Sequence, residues 1–236
     1  MSWWLVVGVV LVALVVLGLM AGVGGEEEDP PGTFPSDVGP TTVDDDWREL
    51  VAFYRQLGFF EGLLADVRPD HAVATVRDAA RRTWMRDLRL EETDVEWMVL
   101  ALDPERVWWS DRRLEVGPGE QTYVETLAAW ARIARGGLRI DDVAESWESL
   151  MGPVRVTFRH EDDPVLLLPE VRDRFLDLGI LSRLNQRLAS AGLRFWSLPT
   201  GGRTVALVAL TDAEARAFRA RGVELDDVEA LAAPRR

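Results

Sequence analysis

Leu193-Arg-Phe-Trp-Ser-Leu198, Thr204-Val-Ala-Leu-Val-Ala-Leu210 and Thr211-Asp-Ala-Glu214 follow one another late in the chain. The first two runs are rich in β-branched and aromatic residues and flank Thr200-Gly201-Gly202, a hairpin turn. The third matches a capping box, in which a threonine and the glutamate three positions on satisfy each other's backbone N–H groups. Gly222 ends the helix that it opens. The stretch therefore predicts a ββα unit.

A similar unit precedes it. Residues 154–159 and 165–168 flank the polar turn His160-Glu-Asp-Asp163, and Leu178, Leu181, Leu184, Leu188 and Ala191 follow at helical spacing. Hairpins need no crossover connection. The expected sheet is therefore mainly antiparallel, with helices on one face, and the class is α+β.

Working outward, Thr122-Tyr-Val-Glu125 reads as another capping box. Tyr123, Leu127, Trp130, Ala131 and Ala134 form the stripe of its helix, and Gly136-Gly137 stop it. A short helix is expected over 141–150. Residues 95–102 and 106–109 flank Asp103-Pro104-Glu105 and read as a hairpin, with a third strand at 113–116. Helices are expected over 47–57 and 70–88.

The N-terminus differs in kind. Residues 3–23 contain no charge and no proline. As a helix they would span roughly 31 Å, about the hydrocarbon thickness of a bilayer. Trp3 and Trp4 suit the headgroup boundary. The reading taken is a retained single-pass transmembrane anchor. A cleaved signal peptide competes, but the apolar run is long and no cationic region precedes it. A buried core helix competes too, but there is no polar face. The first arginine is Arg48, so the side of the membrane is left open.

The expected organisation is an anchor over 1–23, an acidic Pro/Gly-rich linker over 24–46 and a soluble α+β domain over 47–236. That domain is helical over 47–90 and sheet-containing over 94–225. The chain carries 40 acids and 27 basic residues, all arginine, for a net charge of −13. Residues 1–46 hold eight of those acids and no arginine, so −8 lies there and −5 on the rest. A mildly acidic domain fits poorly with non-specific nucleic-acid binding. The absence of cysteine excludes disulfides, thiolate nucleophiles and cysteine-based zinc sites. The absence of lysine excludes Schiff-base and P-loop chemistry.

Leu102-Asp-Pro-Glu-Arg-Val-Trp-Trp-Ser-Asp111, Tyr123-Val-Glu-Thr-Leu, Trp130-Ala-Arg-Ile-Ala-Arg-Gly136, Glu145-Ser-Trp147 and Gly152-Pro-Val-Arg-Val-Thr-Phe158 resemble an uncharacterised family of bacterial proteins. The likeness covers roughly residues 94–222. It implies a shared α+β domain and nothing about chemistry.

No catalytic, cofactor or metal motif stands out. His71 and His160 belong to no HExxH, and no Gly-x-Ser-x-Gly is present. His160-Glu161-Asp162-Asp163 reads either as a divalent-cation ligand set or as a solvated turn, and the second reading is taken. Asp103, Asp111 and Glu115 are the best placed carboxylates for acid–base work, beside the plainer reading that Asp103 supports its turn. Arg77, Arg81, Arg82, Arg86 and Arg89 form either an acidic-partner site or a solvated face paired with nearby acids.

Trp108-Trp109 carries the binding expectation. Neighbours on a strand point to opposite faces, so one indole can fill the core while the other either anchors an interface beside Arg112 and Arg113 or is covered by another helix or by the N-terminal segment. The expected function is a membrane-tethered protein–protein interaction domain, for example an envelope or immunity-type binding protein. A protein partner and the membrane are its expected contacts, with the oligomeric state open. The alternative is a membrane-anchored hydrolase using carboxylates.

Overall fold

In the computed structural model, which describes residues 41–86, 88–89, 95–171, 173–200 and 203–231, the run quoted first forms the middle of a four-stranded sheet. Its strands are β1 (Val107–Asp111), β5 (Leu193–Leu198), β6 (Thr204–Thr211) and β7 (Asp226–Asp227). They lie in the order β1-β6-β5-β7, antiparallel throughout. A second sheet is the antiparallel meander of β2 (Asp141–Trp147), β3 (Val154–His160) and β4 (Asp163–Leu167). The described helices are α1 (Thr41–Gln56), α2 (Ala72–Trp84), α3 (Val95–Leu100), α4 (Thr122–Ile133), α5 (Ile180–Leu188) and α6 (Asp212–Ala220). The class is α+β with antiparallel pairing.

β6 explains why the helices are not confined to one face, as expected, but cover both. Its residues 205–210 are buried without a break, as happens where a strand is covered on both sides. Ala206, Val208 and Leu210 join the cluster built by α1, α2, α3 and Phe218 of α6. Val205, Leu207 and Ala209 join the opposite cluster, with Tyr123, Leu127 and Trp130 of α4, Leu181, Leu184 and Leu188 of α5, and the inner face of the second sheet. Buried Asn185 ties α5 to β5: its Oδ1 accepts the Phe195 N–H at 2.7 Å and its Nδ2 donates to the Phe195 carbonyl at 3.3 Å.

Four local expectations are corrected. Residues 95–102 do not form a strand; α3 occupies 95–100, and β1 pairs with β6 instead. A short, unbroken apolar run fits a buried helix as well as a buried strand. Residues 113–116 join neither sheet and make only an isolated bridge, Glu115 to Phe175. Residues 141–147 form β2 rather than a helix. Val143 and Trp147 are four apart but also alternate with Glu145 on one strand face. Finally, Thr122 and Glu125 do not form a capping box. Gln121 stands at the N-cap, and the Glu145 carboxylate of β2 accepts the Tyr123 N–H at 3.1 Å. A carboxylate from another element thus meets the positive end of α4. The Thr211–Glu214 capping box is present as expected.

Gly136 and Gly137 end α4 for different reasons. Gly136 takes φ +81, the left-handed conformation that costs glycine nothing. At Gly137 a Cβ would lie 2.7 Å from Leu193 Cδ1, 3.1 Å from Ala191 Cβ and 3.2 Å from the Ala134 carbonyl oxygen. Gly137→Ala is therefore expected to destabilise the fold by about 1–3 kcal/mol. A urea melt of the variant beside the parent checks this, and an unchanged midpoint would show that β5 and α4 are not held at that spacing.

α1 begins at Thr41, earlier than the expected domain start at Trp47. The expected anchor, the linker as far as Pro40, and the Gly201-Gly202 turn lie outside the described residues. Among the described residues no helix is long and apolar enough to cross a membrane.

Candidate interaction surface

β1 places its two tryptophans on opposite faces. Trp108 is half-buried and meets Trp130 edge-on, with ring centroids 5.5 Å apart. Trp109 faces the other way and remains 41% exposed. Beneath it lie Trp84, from the end of α2, at 5.3 Å and Trp97, from α3, at 6.5 Å. Trp84 and Trp97 themselves meet at 5.4 Å in a T-shaped contact, and the Trp84 indole N–H donates to the Met98 carbonyl at 3.0 Å. The exposed ring therefore rests on a fixed aromatic base. Met85, next in sequence, takes φ +54 as the α2 cap and is 80% exposed.

Arg112 and Arg113 follow β1. The Arg112 Nε donates to the Thr204 carbonyl at 3.2 Å. The Arg113 N–H donates to Asp111 at 2.8 Å, and Asp111 also pairs with Arg203 at 3.0 Å. Arg86 reaches the Met98 sulfur at 3.6 Å. The exposed indole thus lies on an edge strand of the four-stranded sheet, with Arg112 and Arg113 following it closely in the chain. Aromatic and arginine side chains of this kind anchor protein interfaces.

The other sequence candidates are used differently. Asp103 is buried, and its carboxylate accepts the Phe60 N–H at 2.6 Å and the Glu105 N–H at 3.1 Å. Burial pushes this carboxyl up, against the pull of those two bonds. Its turn-supporting role is realised, and it also fastens the loop after α1. Asp103, Asp111 and Glu115 do not converge on one site. His71 is exposed beside Arg68 and Asp70. His160, expected in a solvated turn, is buried at the end of β3, where its Nδ1 donates to the Arg139 carbonyl at 3.1 Å. Asp162 pairs with Arg159 at 3.4 Å. Among the described residues no group of three or more acids and histidines is arranged to hold a metal.

Sequence reasoning missed one polar cluster. Tyr54, Glu96 and Arg221 come from α1, α3 and the end of α6. The Tyr54 hydroxyl donates to Glu96, and Arg221 reaches Glu96 at 3.2 Å and Glu49 at 3.3 Å while lying 5.0 Å from the Phe53 ring centroid. Burial, and then the Glu96 charge, push the Tyr54 hydroxyl well above its ordinary range. Its proton therefore stays on the phenol as a donor. Glu49, Phe53, Glu96 and Arg221 line an open groove of about 830 Å³ that also takes in Asp46. Two of the groove's carboxylates are held by Arg221, an arrangement that ties helices together rather than freeing an acid and a base for proton transfer. Glu96 is the lone acid of an otherwise apolar run, the one signal that could have drawn attention to it.

No family model, curated protein or solved structure matches the chain.

Proposed function

We propose that residues 47–236 form a protein-binding domain held at a membrane by residues 1–23, and that the Trp109 face is its contact surface. The partner would be an envelope protein or a toxin that the domain neutralises. The observation that supports this reading is Trp109 itself, 41% exposed over the Trp84–Trp97 base. An indole in that setting loses little conformational freedom on binding and presents a large apolar area.

The test is affinity recovery of partners by the full-length chain. Trp109→Ala and Arg112→Ala should each lower recovery of a specific partner, the first at least tenfold, with both variants still folded by circular dichroism. Equal recovery by parent and both variants would move the contact surface elsewhere.

A further inference from the structure

A second surface, independent of the Trp109 face, lies along β4. This strand is an edge of the second sheet: it pairs with β3, and no described segment pairs with its other side. Its backbone polarity follows from the hairpin. Glu161 and Asp162 make a two-residue loop between His160 and Asp163, with Glu161 at φ +58. In such a hairpin the closing pair exchanges both hydrogen bonds, and alternate pairs beyond it do the same. Asp163, Val165 and Leu167 therefore turn their backbone groups to β3. Pro164 and Leu166 turn theirs outward. Pro164 fits this parity, since a residue with no N–H costs an outward position no ladder bond. Among the described residues the Leu166 N–H and carbonyl have no strand partner and are left as donor and acceptor.

Alternation also leaves Leu166 and, just beyond the strand, Leu168 apolar and 50% and 49% exposed. Across a groove of about 460 Å³ from this edge stands α5, which contributes Arg183, Gln186 and Arg187. Arg183 and Arg187 are one helical turn apart on the same flank. Among the described residues neither forms an ion pair, in a domain where arginines at 106, 135, 155, 194, 203 and 221 do.

An open strand edge facing two such guanidinium groups has a defined complement. We infer that the β4–α5 groove binds an extended acidic segment of another protein, which adds to the sheet as a fourth strand. Its backbone would pair with Leu166, its apolar side chains would cover Leu166 and Leu168, and its carboxylates would meet Arg183 and Arg187.

The experiment follows amide hydrogen exchange of the full-length chain with a soluble peptide in which valine and glutamate alternate, and with its valine–lysine counterpart. The glutamate peptide should slow exchange of the Leu166 amide, while the Val165 amide, already held by β3, is unaffected. Arg183→Glu with Arg187→Glu should weaken binding at least tenfold. Leu166→Pro, which removes the outward N–H and the exposed leucine side chain but no bond to β3, should abolish it. Equal binding of the lysine peptide, or undiminished binding by Leu166→Pro, would overturn the inference. So would Leu166 protection that grows with protein concentration and no peptide, because a second copy would then fill the edge. If Leu166→Pro does not fold, the comparison of the two peptides on the unaltered chain decides.

Discussion

Glu214→Ala is expected to lower the folding free energy by about 3–5 kcal/mol, the cost of leaving a buried charge without its partner. The Glu214 carboxylate accepts from Arg106 Nη2 at 3.0 Å and from Arg135 Nη1 and Nη2 at 2.9 and 2.8 Å. The Arg106 and Glu214 side chains are 6% and 12% exposed. Arg106 has two further acceptors in the Leu57 and Gly58 carbonyls, at 2.7 and 2.9 Å, and lies over the Phe59 ring. One carboxylate thus joins the loop after α1, the start of β1, the turn after α4 and the cap of α6. With Glu214 gone, Arg106 keeps its charge in a place that water does not reach. The double variant Arg106→Met/Glu214→Gln, which removes the Arg106 charge along with that of its partner, is expected to be more stable than Glu214→Ala although it loses more hydrogen bonds.

The pH dependence carries the same signature. Burial raises the Glu214 carboxyl, but the bonds from Arg135 and from the Thr211 N–H outweigh it, so the group lies below its ordinary value of 4.5. A carboxylate depressed in the folded state stabilises above the unfolded value and loses that contribution as pH falls through the folded one. Urea melts of the parent should therefore fall off below about pH 4.5 more steeply than those of Glu214→Ala. Parallel curves would contradict the assignment.

Trp130→Ala is the second large effect, at about 3–5 kcal/mol. Trp130 is fully buried on α4, edge-on to Trp108 and 6.3 Å from Phe195. Its indole N–H has no acceptor among the described residues. Trp130→Phe keeps a ring and removes that unsatisfied donor, so it is expected to cost much less than the alanine variant. Chemical denaturation of both variants measures the difference. Equal losses would mean that the indole donor is satisfied and that its hydrogen bond, rather than the packing of the ring, sets the energy.

The legible parts of the fold were those whose signals are local. The β5–β6–α6 run declares itself by a hairpin turn, a buried apolar strand and a capping box, and the paired strands and the capping box are seen in place. Residues 95–100 carry no such punctuation, and burial on nearly every side erased the periodicity that separates helix from strand. At 141–147 an inward glutamate hid the strand. Glu145 points into the fold because it caps α4 and accepts the Trp147 indole N–H at 2.6 Å, a role set by tertiary packing. The capping box at Thr122 failed for the same reason: a stronger acceptor arrived from another element.

For the surface, alternation along β1 correctly separated Trp108 from Trp109. It could not supply Trp84 and Trp97, which reach Trp109 only through the packing of α2 and α3. Tyr54, Glu96 and Arg221 are further still from local rules, since Glu96 is separated by 42 residues from the first and 125 from the second.

The central claim is that the Trp109 face meets another protein. The most direct measurement places a photo-reactive side chain at position 109 of the full-length chain and, as a control, at exposed Ser190 on the turn after α5. Irradiation in cells should give one discrete protein adduct from position 109 and none of that mass from position 190. No adduct at 109, or the same adducts from both positions, would contradict it.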